Sequence, residues 1–200
     1  MRTADSASTT LEDRLRVTLQ GAVHNLEAVC HSVDVDRLKK LADRFYGARR
    51  IYILVGDLAT SLGYFLHYQL MMLGFDVVLA SGAGHITHQM HHATRTDLVV
   101  AISFRRGLRQ TVEGVIQARE NGCYTVGVTD TSISPVAQSV DEALIVSIDV
   151  PHFGASYVAP MAMLDALLSV IANSRRARTI KKLRQMEEDQ KVSYRWYPDR

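Results

Sequence analysis

Two hundred residues, 47% of them hydrophobic, are enough to bury a full core in one domain, with room for a helical appendage. A net charge of +2 and a pI near 8.6 are too weakly basic to imply a nucleic-acid partner on their own. The two cysteines, Cys30 and Cys123, have neither metal-ligand nor disulfide-framework spacing, which fits a reducing, cytoplasmic setting.

Residues 1–9 are small and polar and are expected to be a disordered tail. Charges and hydroxyls interrupt this segment where a secretory signal needs an apolar core, so no signal peptide is expected. Residues 11–33 and 34–46 read as two helices, which together make an N-terminal unit over 10–47. Asp34 is the expected N-cap of the second, and Val35, Leu38, Leu41, Ala42 and Phe45 recur at helical spacing.

An α/β domain is then expected over residues 48–177. Ile51 to Val55 is a first strand, and 59–73 is a helix stopped by Gly74. A second strand at 77–80 runs into Ser81-Gly82-Ala83-Gly84 and a short helix at 85–93. The apolar runs Leu98 to Ile102 and Tyr124 to Val128 are β-rich and too short for buried helices. Between them lies a helix with Val112, Val115, Ile116 and Ala118 on its apolar side, ended by Asn121-Gly122. A fifth strand is expected at 143–148, followed by a loop at 151–157 and a long helix at 158–174.

Alternating strands and helices of this kind predict a doubly wound α/β fold with strand order 2-1-3-4-5. Right-handed crossovers bring the ends of strands three and four to one edge, so Ser103 to Gly107 lies beside Thr129 to Ser134. Such edges bind anions. The most apolar later stretch, 157–172, is shorter than a bilayer span and contains Pro160 and Asp165, so it reads as a core helix and no membrane partner is expected. A last amphipathic helix at 178–191 carries Ile180, Leu183 and Met186 on one side, and with the aromatic, basic tail it forms a terminal segment over 178–200.

The segments RRIYILVGD, DLVVAISFRRGLRQTVEG, GVTDTSISPVA and SYVAPMAMLDALLSVIA, in that order over residues 35–175, resemble the SIS (sugar isomerase) phosphosugar-binding domain. The likeness is greatest to the C-terminal half of RpiR-type transcriptional regulators. The resemblance implies a flavodoxin-like three-layer α/β/α sandwich with a five-stranded parallel sheet, a homodimer, and a phosphosugar held by Ser/Thr-rich loops. It implies no cofactor and no metal. Carried onto this chain, the ligand-binding positions are Gly56, Asp57, Thr60 and Ser61 after the first strand, Ser103, Arg105 and Arg106 after the third, and Thr129, Asp130 and Ser134 after the fourth.

Two departures change the chemistry. A GxGxS turn is replaced by Gly56-Asp57-Leu58-Ala59-Thr60-Ser61, and SxSGxT by Ser103-Phe104-Arg105-Arg106-Gly107-Leu108. Neutral hydroxyl and N–H donors at a helix N-terminus give way to guanidinium groups, which bind phosphate or carboxylate through stronger, charge-assisted pairs. The expected ligand is therefore still anionic, in a rebuilt pocket.

Other signals have plainer readings beside the functional one. Ser103, Thr129, Asp130 and Ser134 are also ordinary cap and turn residues. His85, His88, His91 and His92 crowd one short helix, and His88 and His92 have i, i+4 spacing, but without a zinc motif a polar helix near the pocket or dimer seam is the better reading. Some SIS isomerases use a histidine or glutamate on the sugar, so a dimeric phosphosugar isomerase is the alternative, with His88, His92 or His152 as candidates. The usual positions offer no clear base, because Glu113 lies on the polar side of its helix and Glu120 at its far end. The basic run from Arg175 to Arg184 is followed by Glu187, Glu188 and Asp189, the pattern of a solvated helix rather than a nucleic-acid site. Residues 1–33 show one helix rather than a three-helix DNA reader, so contact with DNA is expected only through a partner or a further N-terminal domain. The function expected is that of an effector-sensing domain.

Overall fold

The computed structural model describes residues 10–151 and 154–192. The expected disordered tail at 1–9, His152 and the aromatic segment at 193–200 lie outside them.

Helix α1 (Leu11–Ser32) opens on a capping box in which the Thr10 hydroxyl and the Asp13 carboxylate each accept from the other's backbone N–H. Helix α2 (Val35–Gly47) is capped by Asp34, which accepts from the N–H groups of Asp36 and Arg37. Strands β1 (Ile51–Val55), β2 (Val77–Ser81), β3 (Leu98–Ile102), β4 (Tyr124–Thr129) and β5 (Glu142–Ile145) form one parallel sheet in the order β2-β1-β3-β4-β5. The intervening helices are α3 (Thr60–Met72), α4 (Ala83–His92), α5 (Arg109–Glu120) and α6 (Pro135–Ser139), and α7 (Val158–Ser174) and α8 (Arg176–Val192) follow the sheet.

Alternation of side chains along the strands divides the core in two. Ile51, Ile53, Val55, Val100 and Val128 pack with α2, α3 and α7 on one face. Tyr52, Leu54, Val99 and Ala101 pack with α4, α5 and Val136 of α6 on the other. Helices on both faces explain why β1 and β3 are buried at every position. Among the described residues no helix is long and apolar enough to cross a membrane.

Several expectations change. A 3-10 turn at Asp57–Ala59 takes the first residue assigned to the helix after β1. Helix α4 starts two residues before His85, because Gly82 at φ +83 turns the chain directly out of β2. Strand β5 starts at Glu142 and ends at Ile145, three residues short of the expected end. It is an edge strand paired only with β4, which stops at Thr129, so the N–H of Val146 makes the last ladder bond to Thr129 at 2.8 Å. Finally, Ile116 is 45% exposed, and α5 instead buries Thr111, Gly114, Val115 and Ala118. Gly114 fixes that face, because a Cβ there would lie 2.5 Å from Cγ2 of Ile86 on α4.

Helix α8 is not held by its expected apolar side, since Ile180 and Leu183 are exposed. Among its described side chains Thr179 is the buried one, Arg178 lies over the rings of Tyr46 and Phe75, and the Lys182 stem lies against Gly74.

Candidate ligand-binding site

Every strand of a parallel sheet delivers its following loop to one edge, and at that edge lies a cleft of about 340 Å³. Its walls are Gly56 to Ala59 after β1, Ser103 to Leu108 after β3, and Ile148, Gly154, Ala155 and Tyr157 from the connection into α7.

The β3 loop is held from below and from the side. Ser103 is buried, its N–H donates to the Val128 carbonyl, and its hydroxyl accepts from the N–H of Leu108 at 3.1 Å. Leu108 begins α5 without a side-chain cap. Its Cδ1 fills the space over Gly56, where a Cβ would lie 2.5 Å away, so close approach requires glycine there. Arg105 stands at φ 59, in the left-handed region that costs an L-residue about 1–2 kcal/mol. The Asp130 carboxylate holds it there by accepting the Arg105 N–H at 2.7 Å, and its guanidinium donates to the Gly154 carbonyl.

Phe104 and Tyr157 make the aromatic part of the wall, with ring centroids 5.2 Å apart. The Tyr157 phenol is pushed above its ordinary ionisation range by burial first, then by the charge of Asp57; Arg105 opposes the shift and Asp130 adds to it. Arg106 also lines the cleft, and among the described residues its guanidinium has no hydrogen-bond or ion-pair partner.

Of the ten positions expected to bind ligand, Gly56, Asp57, Ser103, Arg105 and Arg106 line this cleft. Thr60 and Ser61 begin α3 off the wall, and the Ser61 hydroxyl donates to the Leu58 carbonyl. Thr129 and Ser134 are buried and satisfy each other: the Thr129 hydroxyl donates to Ser134 Oγ at 2.9 Å, and Ser134 caps α6. Asp130 acts as the latch on Arg105. The aromatic wall and Gly154 were not singled out from sequence; the Phe-Arg-Arg departure beside Ser103 and the Gly-Ala-Ser-Tyr run before α7 were the available signals.

The remaining candidates lie elsewhere. His85, His88, His91 and His92 are all exposed on α4, away from the cleft walls. Among the described residues no three His, Cys, Asp or Glu side chains gather as a metal site. Glu113 pairs with Arg109 at 2.7 Å on the surface of α5. Arg175 and Arg178 lie over Tyr46, which accounts for part of the basic run by packing.

The family model described as the SIS domain matches residues 44–170, well over half of the chain. The chain belongs to the SIS domain family. A curated relative, a helix-turn-helix-type transcriptional regulator of Clostridium perfringens, is 25% identical over 126 residues, covering 63% of this chain and 45% of the regulator. The chain thus spans less than half of that relative's length. Among solved structures, the sugar isomerase domain of an RpiR transcription factor from Sphaerobacter thermophilus superposes with TM-score 0.82 at 24% identity, covering 87% of this chain and 97% of that one. NanR of Vibrio vulnificus, complexed with ManNAc-6P, superposes with TM-score 0.81 at 20% identity, covering 90% of this chain and 69% of NanR. These likenesses show that the chain shares their fold.

Proposed function

We propose that this SIS domain binds an anionic sugar derivative, a phosphosugar, and serves as the effector-sensing part of an RpiR-type transcriptional regulator in the cytoplasm. The observation that carries the reading is the cleft at the sheet edge, where Arg106, without a partner among the described residues, stands in the same loop as Ser103 and the uncapped start of α5. A guanidinium fork and helix N–H donors are the groups that bind a phosphate. The complex of NanR with ManNAc-6P supports the same class of ligand. In this reading DNA is reached through a partner or a further N-terminal domain, as the greater length of the helix-turn-helix relatives suggests.

A homodimer fits the surface. Leu11, Leu15, Leu19 and Val23 of α1 are exposed along one side of the helix, a run of apolar groups that a second copy would cover.

Isothermal titration against a panel of aldose, ketose and amino-sugar phosphates, with the unphosphorylated sugars as controls, tests the proposal. At least one phosphosugar binds and its neutral counterpart does not; equal binding of the two overturns the reading. The same panel in a coupled isomerase assay gives no turnover. Turnover lost on His88→Ala or His92→Ala would replace the sensor with an isomerase.

A further inference from the structure

Opposite charges line the same cleft from different loops without meeting. Arg106 comes from the loop after β3 and Asp57 from the turn after β1. Among the described residues neither side chain makes a hydrogen bond or an ion pair. The charge of Asp57 is felt at the Tyr157 phenol, and Tyr157 with Phe104 forms the apolar wall of the cleft. A sugar whose phosphate rests on Arg106 in this cleft of about 340 Å³ shares it with Asp57, on the wall after β1. An ionised carboxylate only accepts hydrogen bonds, so it suits hydroxyl or amino groups and repels a second anion.

We propose that Asp57 is a specificity-determining residue: it accepts hydrogen bonds from the end of the sugar remote from the phosphate and excludes sugars carrying an anion at both ends. This rests on the reading of the cleft as an anion site. The ligand class is thereby narrowed to sugar monophosphates with a donor-rich far end, amino sugars included.

The position also gives a clean variant. Asp57 stands at φ 53, a left-handed conformation that asparagine tolerates as well as aspartate does. Asp57→Asn therefore removes the charge while keeping the shape and the turn, and thermal melting verifies that the domain is intact. The probes are two matched pairs, fructose 6-phosphate with fructose 1,6-bisphosphate and glucose 6-phosphate with glucose 1,6-bisphosphate, titrated by calorimetry into the full chain.

The wild type binds at least one monophosphate about tenfold or more tighter than its bisphosphate, and Asp57→Asn shrinks that ratio by about tenfold. A wild type that binds both members of a pair equally, or a ratio unchanged in Asp57→Asn, overturns the role of Asp57 while leaving the anion site standing. Failure of all four sugars to bind the wild type, with phosphosugars of the wider panel also silent, removes the anion-site reading and this inference together. If only a panel sugar binds, its response to Asp57→Asn decides: unchanged affinity overturns the role of Asp57, and a severalfold loss supports it.

Discussion

Asp97→Asn probes the frame that holds the sheet in register at the edge opposite the cleft. Asp97 is 3% exposed and precedes β3. Its carboxylate accepts from Arg49 Nε at 3.0 Å, Arg49 Nη2 at 2.8 Å, the Thr94 N–H at 2.8 Å and the Thr94 hydroxyl at 3.0 Å. Burial alone would raise its ionisation range; the Arg49 hydrogen bonds, those of Thr94 and the Arg49 charge outweigh it and hold the group below the ordinary value. Asparagine keeps one acceptor and turns an amide N–H toward donors. Breaking a buried pair costs about 3–5 kcal/mol, but the Arg49 side is open to water, so about 2–3 kcal/mol is expected for loss of the Asp97 charge. In a domain of this size that lowers Tm by about 5–10 °C.

The sign with pH follows from the lowered value. The stabilisation is fully present above the unfolded-state range near pH 4 and is lost as pH falls through the lower folded-state value. Urea midpoints of wild type and variant should therefore differ by a constant amount from pH 7 to pH 5 and converge towards pH 3. A variant within about 0.5 kcal/mol of wild type at pH 7, or a gap indifferent to acid, would refute the reasoning.

Further outcomes follow from packing and burial. Gly114→Ala gains about 1 kcal/mol of helix propensity. It nevertheless destabilises the fold by about 1–3 kcal/mol in chemical denaturation, because the new Cβ meets Ile86 at 2.5 Å and Leu54 at 3.1 Å. Cys30 is exposed, whereas burial and then the charge of Asp97 push the Cys123 thiol up to about 11. A thiol reagent at pH 8 therefore labels one cysteine quickly in the native protein and both after denaturation, and rapid labelling of Cys123 in the native state would contradict its placement.

The strands were legible where a continuous apolar run meets burial on both sides, as at Ile51 to Val55 and Leu98 to Ile102. The end of β5 was not, because an edge strand stops where its only neighbour stops, which is a tertiary fact about Thr129. Ile116 misled for a related reason: the inward face of α5 is set by close approach at a glycine, and glycine carries no hydrophobic signal. At the site, sequence order put Gly56, Asp57, Ser103, Arg105 and Arg106 at strand ends, and the fold brings their loops to one cleft. It could not separate these from Thr129 and Ser134, whose hydroxyls are occupied with each other, since a cap and a ligand contact use the same residue types. Tyr157 and Gly154 reach the cleft from a connection whose path depends on how α7 packs.

The most direct test of the central claim is a pair of titrations of one phosphosugar into wild type and Arg106→Ala. Arg106 has no partner among the described residues, so the variant should melt with the wild type. Loss of one charge-assisted contact worth about 1.5–3 kcal/mol should weaken binding about 10–100-fold. Unchanged affinity in a folded Arg106→Ala variant, or no phosphosugar binding to the wild type, would contradict an anion-binding cleft at this edge of the sheet.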